Sequence, residues 1–166
     1  PLLVIAGWGY PPADLGRFCR GLGQPGVGVQ ALAPAELPAG ARQPVEAGGP
    51  FQLSDYAAGL VARLAGRGAA TDLVGWSLGG MIALEVAACC PASVRRLVLI
   101  SSAARLCRAL VYACGLPEAN VRALRAGLRK DPAGTLAAFY RLAAAPFPEP
   151  VPACVPPDSD RDGALA

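Results

Sequence analysis

The stretch Asp72-Leu73-Val74-Gly75-Trp76-Ser77-Leu78-Gly79-Gly80 decides the fold. Its first half is a short apolar run of the kind that makes a buried strand. Its second half opens a run from Leu78 to Cys90 that is apolar nearly all round, with Glu85 as its only charge. A helix without a polar face is buried, here against a sheet. Pro91 stops it, and Arg96 to Ile100 (RLVLI) reads as the next strand. Upstream, Ser54 is placed to cap a helix whose apolar positions Ala57, Leu60, Val61 and Leu64 follow helical spacing, with Gly66 and Gly68 ending it. Further back, Leu2-Leu3-Val4-Ile5-Ala6 is a continuous apolar run, as in a buried parallel strand, and it ends in the turn-rich Gly7-Trp8-Gly9-Tyr10-Pro11-Pro12. Residues 13–22 suit a short helix with Leu15, Phe18 and Leu22 on one side. Val27 to Leu32 is a further strand, weakened by Gly28, and residues 33–50 read as a loop. Strand and helix thus alternate over about one hundred residues, which predicts a parallel sheet with helices on both faces.

The pattern changes after Ser101. Residues 103–145 show helical patterns and no strand. Pro117 suits the first turn of one helix, with Val121, Leu124 and Leu128 as its apolar stripe and Arg122, Arg125 and Arg129 on an adjacent face. Asp131-Pro132, a cap followed by proline at the first helical position, starts another, with Leu136, Phe139, Tyr140 and Ala143 as its stripe. Residues 146–157 are Pro-rich, and Asp158 to Ala166 looks like the opening of a further helix.

Composition bounds the chemistry. The chain has 166 residues and no histidine, so no histidine within it can act as a general base. A 54% hydrophobic content excludes a disordered chain. No apolar run reaches the roughly 18 to 20 residues of a membrane span, and no signal peptide is visible. A net charge of +3 is too weak to point to nucleic acid. Cys19, Cys89, Cys90, Cys107, Cys114 and Cys154 form no Cys-x-x-Cys pair and have no histidine as co-ligand, so no metal site is expected. They read as free structural thiols, with Cys89 and Cys90 buried late in their helix, and a reducing cytoplasm is the expected setting.

Gly75-Trp76-Ser77-Leu78-Gly79 is Gly-x-Ser-x-Gly between a strand and a helix, the context of a nucleophile elbow. The reason is steric. The serine sits on a strained turn, and the glycines Gly75 and Gly79 let strand and helix approach closely. The helix N-terminus points N–H groups at any anion forming there, and the Leu78 N–H becomes one oxyanion donor. The loop after the first strand, Gly7-Trp8-Gly9, is placed to supply the other, from Trp8.

These segments resemble α/β-hydrolases of the pimeloyl-(acyl-carrier protein) methyl ester esterase type, from biotin synthesis. The resemblance lies in Gly7-Trp8-Gly9, in Leu37-Pro38 and Leu53-Ser54-Asp55 leading into a helix, and in the elbow with Trp76 before Ser77 and Leu78-Gly79-Gly80 after it. Phe139-Tyr140-Arg141-Leu142-Ala143 resembles the lid segment that lines the acyl pocket in that family. Two positions depart from its pattern: Ala6 replaces a histidine that precedes Gly-Trp-Gly, and Ala143 replaces a glutamine.

The resemblance implies an α/β-hydrolase fold whose strands pair in the order second, first, third, fourth. Residues 1–102 would form the N-terminal part of the core and residues 103–166 an incomplete helical lid. In this family the triad runs Ser, Asp, His along the chain. The acid and the base are therefore expected beyond Ala166, with the chain a fragment that is inactive alone. Asp158, Asp160 and Asp162 read as a solvated helix start rather than the acid. The implied reaction is hydrolysis of a methyl ester on a carrier-bound acyl chain through acyl-Ser77, without cofactor. Arg122, Arg125, Arg129 and Lys130 would attract an acidic carrier protein. An acyl-carrier thioesterase, a general small-ester hydrolase and a non-catalytic binding relative remain open alternatives.

Overall fold

Four short strands run parallel through the centre of the molecule. They are β1 (Leu2–Ile5), β2 (Val29–Leu32), β3 (Thr71–Trp76) and β4 (Val94–Ile100). Their order across the sheet is β2-β1-β3-β4, the order the resemblance implied. The computed structural model describes residues 1–22, 28–37 and 52–145. Part of the loop read over 33–50, Pro38, Cys154, the Pro-rich stretch and Asp158 to Ala166 lie outside them.

Burial on both faces explains the unbroken apolar sequence of β1. Leu3 and Ile5 enter one cluster with Leu32, Leu73 and residues of four helices. Val4 and Ala6 enter the other, with Leu15 and Val74. The register sets Leu3 beside Leu73 and Ile5 beside Gly75. The last pairing brings the end of β1 to the glycine that opens the elbow.

Helix α1 (Gly16–Leu22) covers the second cluster through Leu22 and Cys19. Helices α2 (Leu53–Ala65) and α3 (Leu78–Cys89) cover the first. In α2, Ala57, Leu60 and Leu64 are buried as their spacing required, and Tyr56 joins them. Its start differs from expectation. The helix begins at Leu53, and the Asp55 carboxylate accepts a hydrogen bond from the Gln52 N–H at 2.7 Å. An acidic side chain reaching back from the first turn does the capping, and Ser54 lies inside that turn.

Helix α3 packs between the sheet and α2, which explains its lack of a polar face; Ile82, Ala83 and Val86 are fully buried. The cysteines at its end do not follow. Cys89 is exposed and Cys90 half-buried, because the helix has passed the sheet by then. Five described cysteines, Cys19, Cys89, Cys90, Cys107 and Cys114, are free thiols, and burial pushes the Cys19 thiol above its usual range.

Residues 103–116, expected to be helical, are instead irregular. Arg108 N–H donates to the Leu116 carbonyl at 2.9 Å and Leu116 N–H to the Leu106 carbonyl at 2.8 Å, with isolated bridges at Cys107–Leu116 and Ala109–Tyr112. Two helices follow, α4 (Glu118–Lys130) and α5 (Pro132–Ala144). The Asp131 carboxylate accepts from the Gly134 N–H at 3.0 Å and caps α5. Leu128, Leu136 and Tyr140 carry this helical pair into the first apolar cluster. Ala143, placed on the apolar stripe by its spacing, is exposed, because the last turn of α5 runs beyond that cluster. No described helix is long and apolar enough to cross a membrane.

Candidate active site

Ser77 stands between the last residue of β3 and the first of α3. Its backbone adopts φ 53° and ψ −118°. A non-glycine residue there costs about 1–3 kcal/mol and persists only when its surroundings over-determine it. The surroundings do so. The Ser77 N–H donates to the Ile100 carbonyl at 2.9 Å. The Ser77 carbonyl accepts from the N–H groups of Gly80 at 2.9 Å and Met81 at 3.2 Å, and from the Ser102 hydroxyl at 2.8 Å.

Both elbow glycines answer to space. A Cβ on Gly75 would lie 2.6 Å from the Gly79 carbonyl oxygen, and one on Gly79 would lie 2.6 Å from the Ile5 carbonyl carbon. Only bare backbone lets β3 turn this tightly and α3 cross β1 this closely.

The loop after β1 runs against the serine. A Cβ on Gly7 would meet the Ser77 Cβ at 3.2 Å, so Gly7 and the backbone leading into Trp8 border Ser77. Gly9 turns the chain with φ 79°. Trp8 is buried with its ring edge-on to Phe139, centroids 5.2 Å apart. The Tyr140 hydroxyl donates to the Gly9 carbonyl. Tyr10 bridges the two sides, 4.4 Å from the Trp76 ring and 5.0 Å from Tyr140. Burial, then the nearby Asp14, pushes the Tyr10 hydroxyl above its usual range.

Of the residues singled out in sequence, the fold thus gathers Gly75, Ser77, Leu78, Gly79, Trp8, Phe139 and Tyr140. Leu78 is buried at the first position of α3, where N–H groups have no partner within the helix. Arg141, Leu142 and Ala143 are exposed, Leu142 by 77%; Arg141 and Leu142 turn away from the apolar cluster, and Ala143 lies in the last turn of α5, beyond it. Tyr10, Trp76 and Ser102 are additional neighbours. The first two flank motif glycines in the sequence, a local signal. Ser102 had none, since its role depends on pairing between β3 and β4. Among the described residues, no three His, Cys, Asp or Glu side chains gather as a metal site would need.

A serine on a strained strand–helix turn, at the carboxyl end of a parallel sheet in the order β2-β1-β3-β4, defines a class. The chain belongs to the alpha/beta hydrolase family, whose family model matches residues 2–166. It is similar to the pimeloyl-(acyl-carrier protein) methyl ester esterase of Neisseria meningitidis serogroup B, with 37% identity over 93 residues. That alignment covers 56% of this chain and 35% of the relative, so the match spans about a third of the curated protein. Among solved structures, an esterase from Exiguobacterium antarcticum superposes with TM-score 0.67 at 19% identity, over 86% of this chain and 53% of that one. A hydrolase from Pseudomonas aeruginosa PA01 gives TM-score 0.65 at 20% identity, over 99% of this chain and 62% of that one. These two likenesses speak for the fold alone.

Proposed function

We propose that this chain carries the nucleophile and oxyanion half of a serine carboxylic-ester hydrolase. The observation that supports it most is Ser77 itself, held at φ 53° with the Gly7–Gly9 loop against it. In the first step Ser77 Oγ bonds to the ester carbonyl carbon while a base takes the hydroxyl proton. The Trp8 and Leu78 N–H groups hold the oxyanion. The base then gives that proton to the leaving oxygen as its bond to the acyl carbon breaks, and a methyl ester releases methanol. Water next adds to acyl-Ser77 and frees the carboxylate.

The base is not among these residues, since the chain has no histidine. The family's triad order supports an acid and a base carried further along the polypeptide. The 166 residues alone are therefore expected to turn over no ester, whereas the full-length polypeptide does.

The similarity to the Neisseria relative supports a carrier-bound acyl methyl ester as substrate, and with it a step in biotin synthesis. The aromatic group of Trp8, Phe139 and Tyr140 supports an apolar acyl chain beside Ser77. In this reading α4 and α5 form part of a lid. Arg122, Arg129 and Lys130 are exposed on α4 and Arg125 is half-buried there, a basic face suited to an acidic carrier. The five free thiols among the described residues support a cytoplasmic setting.

The test is turnover by the full-length polypeptide of one acyl chain presented as a carrier-bound methyl ester and as a carrier thioester. Faster release of methanol than of carrier thiol is the expected result. The reverse would assign a thioesterase, and turnover of small soluble esters alone a general esterase. No turnover of any of these would leave a binding protein.

A further inference from the structure

We propose that Ser102, two residues beyond the end of β4, is a positioning residue that aims the Leu78 N–H at the reacting oxyanion. This rests on the serine-hydrolase reading above. The Ser77 carbonyl and the Leu78 N–H are the two ends of one planar trans peptide unit, and they point in opposite directions. Whatever fixes the carbonyl therefore fixes the N–H. Of the three donors to that carbonyl, Gly80 and Met81 belong to α3 and move with it. The third, the Ser102 hydroxyl at 2.8 Å, comes from the sheet side.

The same short segment holds the other end of the nucleophile. Ile100, two residues earlier, accepts the Ser77 N–H at 2.9 Å. Residues 100 and 102 thus grip Ser77 at its N–H and at its carbonyl. Between them Ser101 adopts φ 47°, a left-handed conformation that non-glycine residues rarely take. This turn brings the Ser102 hydroxyl back to the elbow. Gly80 makes the room: a Cβ there would stand 2.5 Å from the Ser102 Cβ. The second glycine of Leu78-Gly79-Gly80 is thereby explained. It leaves vacant the volume that Ser102 fills.

A donor aimed at developing charge strengthens the transition state more than the ground state. Loss of the Ser102 hydroxyl should slow acylation without weakening initial binding. The experiment is the rate of fluorophosphonate labelling of the full-length polypeptide, resolved into limiting rate and half-saturating probe concentration. Ser102→Ala is expected to lower the limiting rate about fivefold to tenfold, the worth of one hydrogen bond, with half-saturation unchanged. Ser102→Thr keeps the hydroxyl and should restore most of the rate. Ser102→Val has the shape of threonine without the donor and should not. That pair decides the matter even where Ser102→Ala fails to fold. Equal rates for the Thr and Val variants, or a Ser102→Ala rate within about twofold of wild type, would overturn the proposal. Ser77→Ala separates the two layers. Labelling that survives in Ser77→Ala would remove the nucleophile itself. Labelling lost there while the Ser102 variants react at the wild-type rate would remove only the positioning role.

Discussion

Gly79 leaves no space for a side chain, and its neighbours on the crowded side are the carbonyl groups of Ile5 and Ala6. Backbone cannot rotate aside as a side chain can. Gly79→Ala should therefore push α3 off β1 and lower stability by about 1–3 kcal/mol, as overpacking does, measured by urea unfolding of the full-length polypeptide. An unchanged midpoint would contradict this. Asp72 makes a second residue-level case. It receives two hydrogen bonds from Arg95, at 2.8 and 2.5 Å, and that pairing holds its carboxyl below the usual carboxylate range. A carboxylate with a depressed folded-state pKa contributes stability above its unfolded value and loses it as pH falls through the folded one. The melting-temperature gap between wild type and Asp72→Asn should be open at neutral pH and close as pH falls below the ordinary carboxylate range of about 3.9. A gap independent of pH would show the pair to be idle. The elbow glycines were legible in sequence because motif and context coincide there. The Asp72–Arg95 pair was not, since it forms only when β3 and β4 align.

At the scale of elements, α5 shows what spacing reveals and where it stops. Its cap at Asp131, its proline start and the burial of Leu136 and Tyr140 all follow from the sequence. Its last turn does not, because spacing marks a helical face and says nothing of how far the partner extends. Phe139 meets the Trp8 ring, whereas Leu142 projects outward. Phe139→Ala should cost about 2 kcal/mol and Leu142→Ala no more than about 0.5, read from denaturant midpoints. Equal effects would refute the assignment of faces. Residues 103–116 depart from helix for a different reason. Their apolar positions suit a helix, yet Arg108 Nε donates to the Gly115 carbonyl at 2.9 Å. A Cβ on Gly115 would stand 2.5 Å from the Arg108 nitrogen. Such closure of a short loop on itself is invisible to helical periodicity.

For the molecule as a whole, the strand–helix alternation and the turn at Ser77 carried most of the fold. The sheet order came from the resemblance, and the tertiary pairings completed it. One consequence is the exposure of β4 at the edge of the described sheet, with Val98 50% and Leu99 42% exposed. An apolar edge strand is a template for pairing with other chains. The 166-residue chain is expected to self-associate, and Val98→Lys to raise its monomer fraction on size-exclusion chromatography. A wild-type chain that elutes wholly as monomer would contradict this. Of the proposed site, Ser77, Trp8 and Phe139 stood out in the sequence. The Ser102 contact needed the fold.

The most direct measurement maps the adduct formed when the full-length polypeptide reacts with a fluorophosphonate, by mass spectrometry of its peptides. The predicted result is a single adduct on Ser77 that disappears in Ser77→Ala. An adduct on another residue, or one that persists in Ser77→Ala, would contradict the account.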